Sequence, residues 1–371
     1  MEIYLDNAAT TRPLTERSIE RHIKDGWYNP SCAYSPAAKT FIEIKEAREL
    51  LKATTGARGD CVFTSGGTEA NNTVIMSAFK KGAHYITSAI EHPSVYNAFK
   101  HLEDMGASVD YIKPRGSCVR AEDVAAAVRK NTALVSIMHV NNETGALCDV
   151  VSVARAVKAE NPKTLVHSDG VQALLKTPVS LADHIDYYTV SAHKIHGLKG
   201  TGAVLTGENG GIKRLLYGGE QESALRPGTE NTLGIQAMGE ALQRGSERLD
   251  ENAETVSRLN KRLLELLAGI EDAIINLPEH RIPHIVSVTF PGVRAEVLVR
   301  ALGEKGIYVG TGAACSRGKV SRVLLESGLK KELAEGTIRI SMSALNTNND
   351  IEVCAQELDK AVKQLRMFGR R

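Results

Sequence analysis

The chain has 371 residues, 42% of them hydrophobic and 24% charged, with 46 Lys and Arg against 44 Asp and Glu for a formal net charge of +2. That length supports two domains around one dominant core, and the near-average composition excludes a disulfide-stapled minidomain and a disordered chain. A balance so close to neutral supplies no global field for nucleic acid or an anionic membrane, so neither is expected as a direct partner.

The opening Met-Glu-Ile-Tyr-Leu-Asp lacks a basic region followed by an apolar stretch, and no later window approaches the ~20 apolar residues that span a bilayer. The expected location is the cytoplasm. From about residue 60 to 206, apolar β-rich runs alternate with segments of helical period, the pattern of a mostly parallel sheet wrapped by helices. Seven strands are expected: Cys61 to Ser65, His84 to Ser88, Ser108 to Ile112, Ala133 to His139, Thr164 to Ser168, Tyr187 to Ser191 and Ala203 to Leu205. Helices are expected between them, among them Glu69 to Lys80, Ala121 to Arg129 and Val151 to Ala159.

From about Thr255 the texture changes. An amphipathic stretch through Leu267 precedes a strand at Ile285 to Phe290, a helix around Ala295 to Leu302, strands at Ile307 to Val309 and Thr337 to Ser341, and a closing helix from Asn349 to Leu365. This is a smaller α+β domain. The expected division is 14–254 for the large domain and 1–13 with 255–371 for the small one, the N-terminal strip folding back onto the latter.

Three stretches of the large domain carry chemistry. Phe63-Thr64-Ser65-Gly66-Gly67-Thr68-Glu69-Ala70-Asn71-Asn72 turns a strand through two glycines into a helix. Exposed N–H groups at a helix start suit one phosphate, against the plainer reading of an N-cap by Thr68 or Ser65. The stretch is neither a Walker A loop nor a Gly-x-Gly-x-x-Gly turn. Val166-His167-Ser168-Asp169 sets an acid at the carboxyl end of a buried strand, where open α/β sheets hold ligands. It either caps the following segment or meets a cationic group such as a protonated pyridine nitrogen. Ser191-Ala192-His193-Lys194 places a lysine at another strand end, either a solvated charge or an amine suited to Schiff-base chemistry. In this order, the cradle, the acid and the lysine are the parts that hold pyridoxal 5'-phosphate.

Six cysteines (Cys32, Cys61, Cys118, Cys148, Cys315, Cys354) are scattered without a Cys-x-x-Cys pair, so neither a redox motif nor a metal site is expected. Cys61, Cys118, Cys148 and Cys354 fall in strand, turn or helix settings that favour core or incidental roles. Cys315 lies in Gly310-Thr311-Gly312-Ala313-Ala314-Cys315-Ser316-Arg317-Gly318-Lys319, where flanking glycines favour a segment able to carry a thiolate, against the usual buried cysteine.

With these motifs the chain resembles the cysteine desulfurases of the NifS/IscS type, in the class V aminotransferase group of fold-type I pyridoxal-phosphate enzymes. The resemblance runs from Tyr4-Leu5-Asp6-Asn7-Ala8-Ala9 through Asn29-Pro30-Ser31, Glu91-His92, His139 to Gly145 and Leu225 to Asn231, to Ile338-Arg339-Ile340-Ser341. It implies that Lys194 carries the cofactor aldehyde, Asp169 pairs with the ring nitrogen, His92 stacks on the ring and Gln172 donates to its phenolic oxygen. Gly67, Thr68, Ser191 and His193 would grip the phosphate, with Thr229 reaching in from the second subunit of a homodimer. Asn142, also at the cofactor, would join Arg339 in receiving the substrate carboxylate. Lys194, His92 and Cys315 are the implied catalytic set. Lys194 takes the Cα proton of L-cysteine, Lys194 or His92 returns one, and the Cys315 thiolate takes the sulfur as a persulfide, releasing L-alanine.

Departures from the family bear on partners. Cys32-Ala33-Tyr34 stands where relatives often carry Ser-x-His, Gln221 occupies a position that is His or Gln, and the segment from Cys315 to Val323 is shorter than in housekeeping relatives yet longer than the clipped loop of the SufS-like group. The chain closes at Phe368-Gly369-Arg370-Arg371 without the extended tail with which several relatives dock a scaffold, so an iron–sulfur scaffold, a tRNA thiolation enzyme and another sulfur-acceptor protein are equal expectations. The competing readings are a selenocysteine lyase or other β-elimination enzyme, an aminotransferase, and a catalytically silent adaptor. Asp169, Lys194, Cys315 and Arg339 together weigh against the adaptor, because a binding module needs no aldehyde-trapping lysine.

Overall fold

Continuous apolar runs become strands buried on both faces. The computed structural model describes residues 2–181, 184–312 and 320–369, and the Cys315 loop lies outside them. Its strands are β1 (Ile3–Tyr4), β2 (Cys61–Thr64), β3 (His84–Ser88), β4 (Ser108–Ile112), β5 (Thr132–Ser136), β6 (Leu165–Asp169), β7 (Tyr187–Ser191), β8 (Gly202–Thr206), β9 (Ile274–Asn276), β10 (Ile285–Thr289), β11 (Ile307–Tyr308), β12 (Gly310–Thr311) and β13 (Thr337–Ser341). A seven-stranded sheet has the order β2-β8-β7-β6-β5-β3-β4, and β8 is antiparallel to both its neighbours while every other pair is parallel. Every residue of β2, β3, β7 and β8 is buried, as strands covered by helices on both faces require. β4, at the edge, carries the more polar Ser-Val-Asp-Tyr-Ile and stays partly exposed.

The expected α/β fold with a seven-stranded sheet is borne out, with two informative shifts. The run expected to reach His139 leaves the ladder after Ser136, although Ile137 and His139 still donate their N–H groups to His167 and Asp169. The chain departs there to form the tight turn in which Asn141 Oδ1 accepts from the N–H groups of Glu143 and Thr144. β6 extends one residue further than expected, so Asp169 is itself the last residue of the strand.

A second sheet, β12-β13-β10-β9, is antiparallel, and β1 pairs in parallel with β11. Its apolar residues, including Val286, Val288, Ile338 and Ile340, form a cluster with Ile3, Leu5, Leu263 and Leu358, separate from the cluster of Ile86, Val135, Val166 and Val190 around the larger sheet. An Asp6–Ser341 bridge continues the contact of the N-terminal residues with β13. Helices Leu249–Ala268 and Asn348–Gly369 pack on each other, and helix Ser35–Thr55 packs along Thr232–Glu247. Among the described residues no helix is long and apolar enough to cross a membrane.

Candidate active site

β2 leads into helix Gly67–Ser77 through Gly66, whose φ of 148° lies where residues with a Cβ are rarely found. A Cβ on Gly67 would stand 2.9 Å from Val171 Cγ2 and 3.7 Å from Ser191 Cβ, so this helix start is pressed against the ends of β6 and β7. No side chain caps it. The capping alternative for Ser65 and Thr68 is therefore not what forms: Ser65 N–H donates to Glu69 Oε2 at 2.7 Å, and Arg226 in turn holds Glu69. The amide end of the helix is left to an anion, with Ser191 beside it and exposed Thr68 at its lip. His193 follows β7 at 3.1 Å from Thr10 Oγ1, and burial first, then Lys194, pushes its imidazole down to about 4.

Asp169 ends β6 at 5% exposure. Its oxygens accept from Asn71 Nδ2 at 2.8 Å and from the Val171 N–H at 3.0 Å. Both donors are neutral, and a buried carboxylate with only neutral donors is a seat for a cation. Asn71 also donates to Ser94 Oγ at 2.8 Å and accepts from Thr189 Oγ1. Because the Thr189 hydroxyl spends its proton on Asn71, His167 Nε2, at 3.2 Å from that oxygen, must be the donor, which leaves His167 Nδ1 to accept from Ser136 Oγ at 2.8 Å. Burial pushes His167 down to about 3, consistent with this neutral tautomer.

The same accounting fixes His92. It is the N-cap of helix Pro93–Asp104, and a proline at the first helical position presets that start. Its Nδ1 accepts from the Ser94 N–H at 3.2 Å and faces Ser94 Oγ at 2.8 Å. Since Ser94 Oγ already accepts from Asn71, its proton goes to His92, so a neutral His92 carries its own proton on Nε2. Burial lowers its basicity first, with Asp169 raising it and Lys194 lowering it, so both groups lie within electrostatic reach of His92.

Lys194 ends the turn Ala192–Lys194, and its Nζ donates to the carbonyls of Ala8 at 2.6 Å and Ala9 at 2.7 Å. Gln172 Nε2 donates to the same Ala8 carbonyl at 2.7 Å. The N-terminal strip thus crosses from β13, where Ala8 N–H meets Ser341 Oγ at 2.9 Å, to the lysine.

Arg339, in the middle of β13 and 1% exposed, donates to the Asn142 carbonyl at 2.8 Å and to Asp6 Oδ1 at 2.7 Å, while its Nε has no hydrogen-bond partner among the described residues. Two unforeseen acids border this region. Glu91 accepts from Ser88 Oγ and from the Met138 N–H at 2.9 Å, its other oxygen has no hydrogen-bond partner among the described residues, and burial pushes it up to about 8. Glu143 accepts from Ser321 Oγ, and burial pushes it up to about 7.

The structure brings Gly67 and Ser191 together, links His92 to Asp169 through Asn71 and Ser94, gathers Lys194 and Gln172 on Ala8, and joins Asn142 to Arg339. Thr68 lies one residue into the same helix, and His193 precedes Lys194. Thr229 is exposed and makes no hydrogen bond to this group among the described residues, and Cys315 lies outside those residues. Sequence reasoning missed Asn71, Ser94, Thr189 and the Ala8 carbonyl. Asn71 sits in the glycine turn already singled out, but its role depends on a partner 98 residues away. Among the described residues, no group of three His, Cys, Asp or Glu side chains is arranged to hold a metal.

A phosphate-suited helix start, a buried acid and a lysine at the carboxyl ends of a mostly parallel seven-stranded sheet define an enzyme of the fold-type I class. The chain belongs to the aminotransferase class-V family, which it matches over residues 3–354. It is 35% identical to a cysteine desulfurase IscS of Clostridium botulinum, covering 98% of this chain and 95% of that one. It is also 35% identical to a cysteine desulfurase IscS of Dictyoglomus turgidum, covering 99% and 96%. A solved NifS-like protein superposes with a TM-score of 0.92 at 33% identity, covering 98% of this chain and all of that one.

Proposed function

We propose that this chain is a pyridoxal-phosphate-dependent cysteine desulfurase that works as a homodimer and passes sulfur to an acceptor protein, an iron–sulfur scaffold or a tRNA thiolation enzyme. The observation that carries the reading is Asp169, a buried carboxylate with neutral donors only among the described residues, in one hydrogen-bonded group with His92 and within electrostatic reach of the same imidazole as Lys194. The residues suit the cofactor: Asp169 for the ring nitrogen, His92 for the ring face, Gln172 for the phenolic oxygen, and Gly67, Thr68, Ser191 and His193 for the phosphate. Bound pyridoxal phosphate supplies an aldehyde that bonds amines and a ring that accepts electrons from the substrate Cα.

The chain's own residues do the rest. Arg339, with Asn142 beside it, receives the cysteine carboxylate and orients the Cα hydrogen. The Lys194 amine takes that proton, and His92, with its proton on Nε2, can give one up. Cys315 attacks the substrate sulfur as a thiolate: its S–S bond forms as the substrate C–S bond breaks, leaving a persulfide on the enzyme and alanine as the product. Thr229 completes the phosphate site of the neighbouring subunit. Supporting that, exposed Trp27, Phe41 and Tyr217 leave large apolar surface, and Phe41 lines one cavity with Gln221, Leu225 and Glu230, next to Thr229. Residues 14–254 act as the cofactor-binding unit and residues 1–13 with 255–371 as the unit bearing Arg339 and Cys315, in the cytoplasm.

The test is incubation with L-cysteine and a thiol reductant, following alanine and sulfide together. Wild type yields both in equal amounts, Lys194→Ala yields neither, and Cys315→Ala keeps the cofactor's visible band but loses sulfide release. Undiminished cysteine turnover by Cys315→Ala would sink the persulfide route.

A further inference from the structure

Lys176 converges on this site without a place in the chemistry above. Its Nζ donates to Gln172 Oε1 at 3.0 Å, while Gln172 Nε2 donates to the Ala8 carbonyl that also receives Lys194. An amide has one donor end and one acceptor end. With Lys176 on the oxygen, the Gln172 NH₂ group must face Ala8 and Lys194. The flipped amide would set NH₂ against the lysine amine and oxygen against a carbonyl, losing both bonds.

The backbone is bent to allow this. Leu175, immediately before Lys176, adopts φ 59°, a left-handed conformation strained for a residue with a Cβ. Strain of this kind persists where the surroundings over-determine it. The charged groups that face Lys176 are Lys194, from the turn after β7, and Arg339, from β13; both are cations. The imidazoles of His193, His196 and His284 also feel its charge, and no acid among the described residues enters this set. Part of the residue remains accessible, yet burial first, and then the two cations, hold its ammonium down to about 7.

We propose, resting on the pyridoxal-phosphate reading above, that Lys176 is a positioning residue: it locks the Gln172 amide with its N–H bonds toward the cofactor oxygen. The experiment loads wild type, Lys176→Met, Lys176→Gln and Lys176→Arg with pyridoxal phosphate, titrates the visible absorbance of the bound cofactor with pH, and measures cofactor affinity. In Lys176→Met, which has no donor for the Gln172 oxygen, the midpoint moves away from the wild-type value and affinity falls several-fold. Lys176→Gln and Lys176→Arg, which still donate, restore both toward wild type. A midpoint and an affinity equal to wild type in Lys176→Met, with cofactor bound, overturn the proposal. If Lys176→Met does not fold, Lys176→Ala decides it in the same way. A wild type that develops no visible band is a separate result, which overturns the cofactor reading itself.

Discussion

Asn71→Ala removes the side chain that joins the two halves of the site. Three bonds go: Nδ2 to Asp169 Oδ2 at 2.8 Å, Nδ2 to Ser94 Oγ at 2.8 Å, and Thr189 Oγ1 to Oδ1. The first is a bond to a buried carboxylate, contributing roughly 1.5 to 3 kcal/mol, and the neutral pair adds about 1 kcal/mol each, so the expected loss of stability is roughly 3.5 to 5 kcal/mol. With Ser94 and Thr189 freed to rotate, His92 and Asp169 lose their common reference, and affinity for pyridoxal phosphate falls with stability. Urea denaturation of the cofactor-free protein measures the first quantity, and equilibrium titration with the cofactor the second. A stability loss below about 1 kcal/mol with unchanged cofactor affinity refutes the argument, because it means that Asp169 is held and satisfied by something other than this amide.

Further predictions concern groups around that link. Glu91, pushed up to about 8, keeps in the native state a proton that the unfolded chain releases near 4.5, so its contribution to stability falls as pH rises through that window. Glu91→Gln removes this slope: relative to wild type the variant gains about 1.4 kcal/mol per pH unit between roughly pH 5.5 and 7.5, and parallel urea-denaturation profiles contradict this. A Cβ on Gly170 would stand 1.9 Å from Tyr188 Cζ, so Gly170→Ala displaces the end of β6 and lowers both thermal stability and cofactor binding; a variant that melts like wild type argues that Tyr188 moves freely. Arg339→Lys keeps the charge but loses the bidentate fork, raising KM for cysteine at least tenfold while the cofactor band stays normal. An unchanged KM removes Arg339 from substrate binding.

Much of the larger sheet was legible because burial on both faces leaves a continuous apolar run, as in Tyr187–Ser191, and the strand-end positions of Asp169 and Lys194 followed from it. Helix Ser35–Thr55 was not singled out: its buried positions are Ala37, Thr40, Ile44, Ala47, Leu51 and Thr55, a stripe in which small and hydroxyl side chains outnumber the two large apolar ones and leave little apolar contrast. Asn71 was quoted within its turn but given no task, since an asparagine near a helix start reads as local polarity until its distant partners are known. The role of Ala8 was out of reach for another reason. It acts through a backbone carbonyl, which no residue type announces, and the same carbonyl meets Gln172 and Lys194 only once the strip has been pinned to β13. Arg339 was assigned to substrate alone, whereas in the fold it already holds Asp6 and Asn142 and so ties the strip to the site.

The most direct test of the central claim is a single turnover of the pyridoxal-phosphate-loaded protein with L-cysteine, without reductant, followed by mass spectrometry of the peptide that carries Cys315 and quantification of the small-molecule product. The account predicts one added sulfur atom on Cys315 for each alanine formed. Pyruvate with free sulfide, or alanine with Cys315 unmodified, contradicts it.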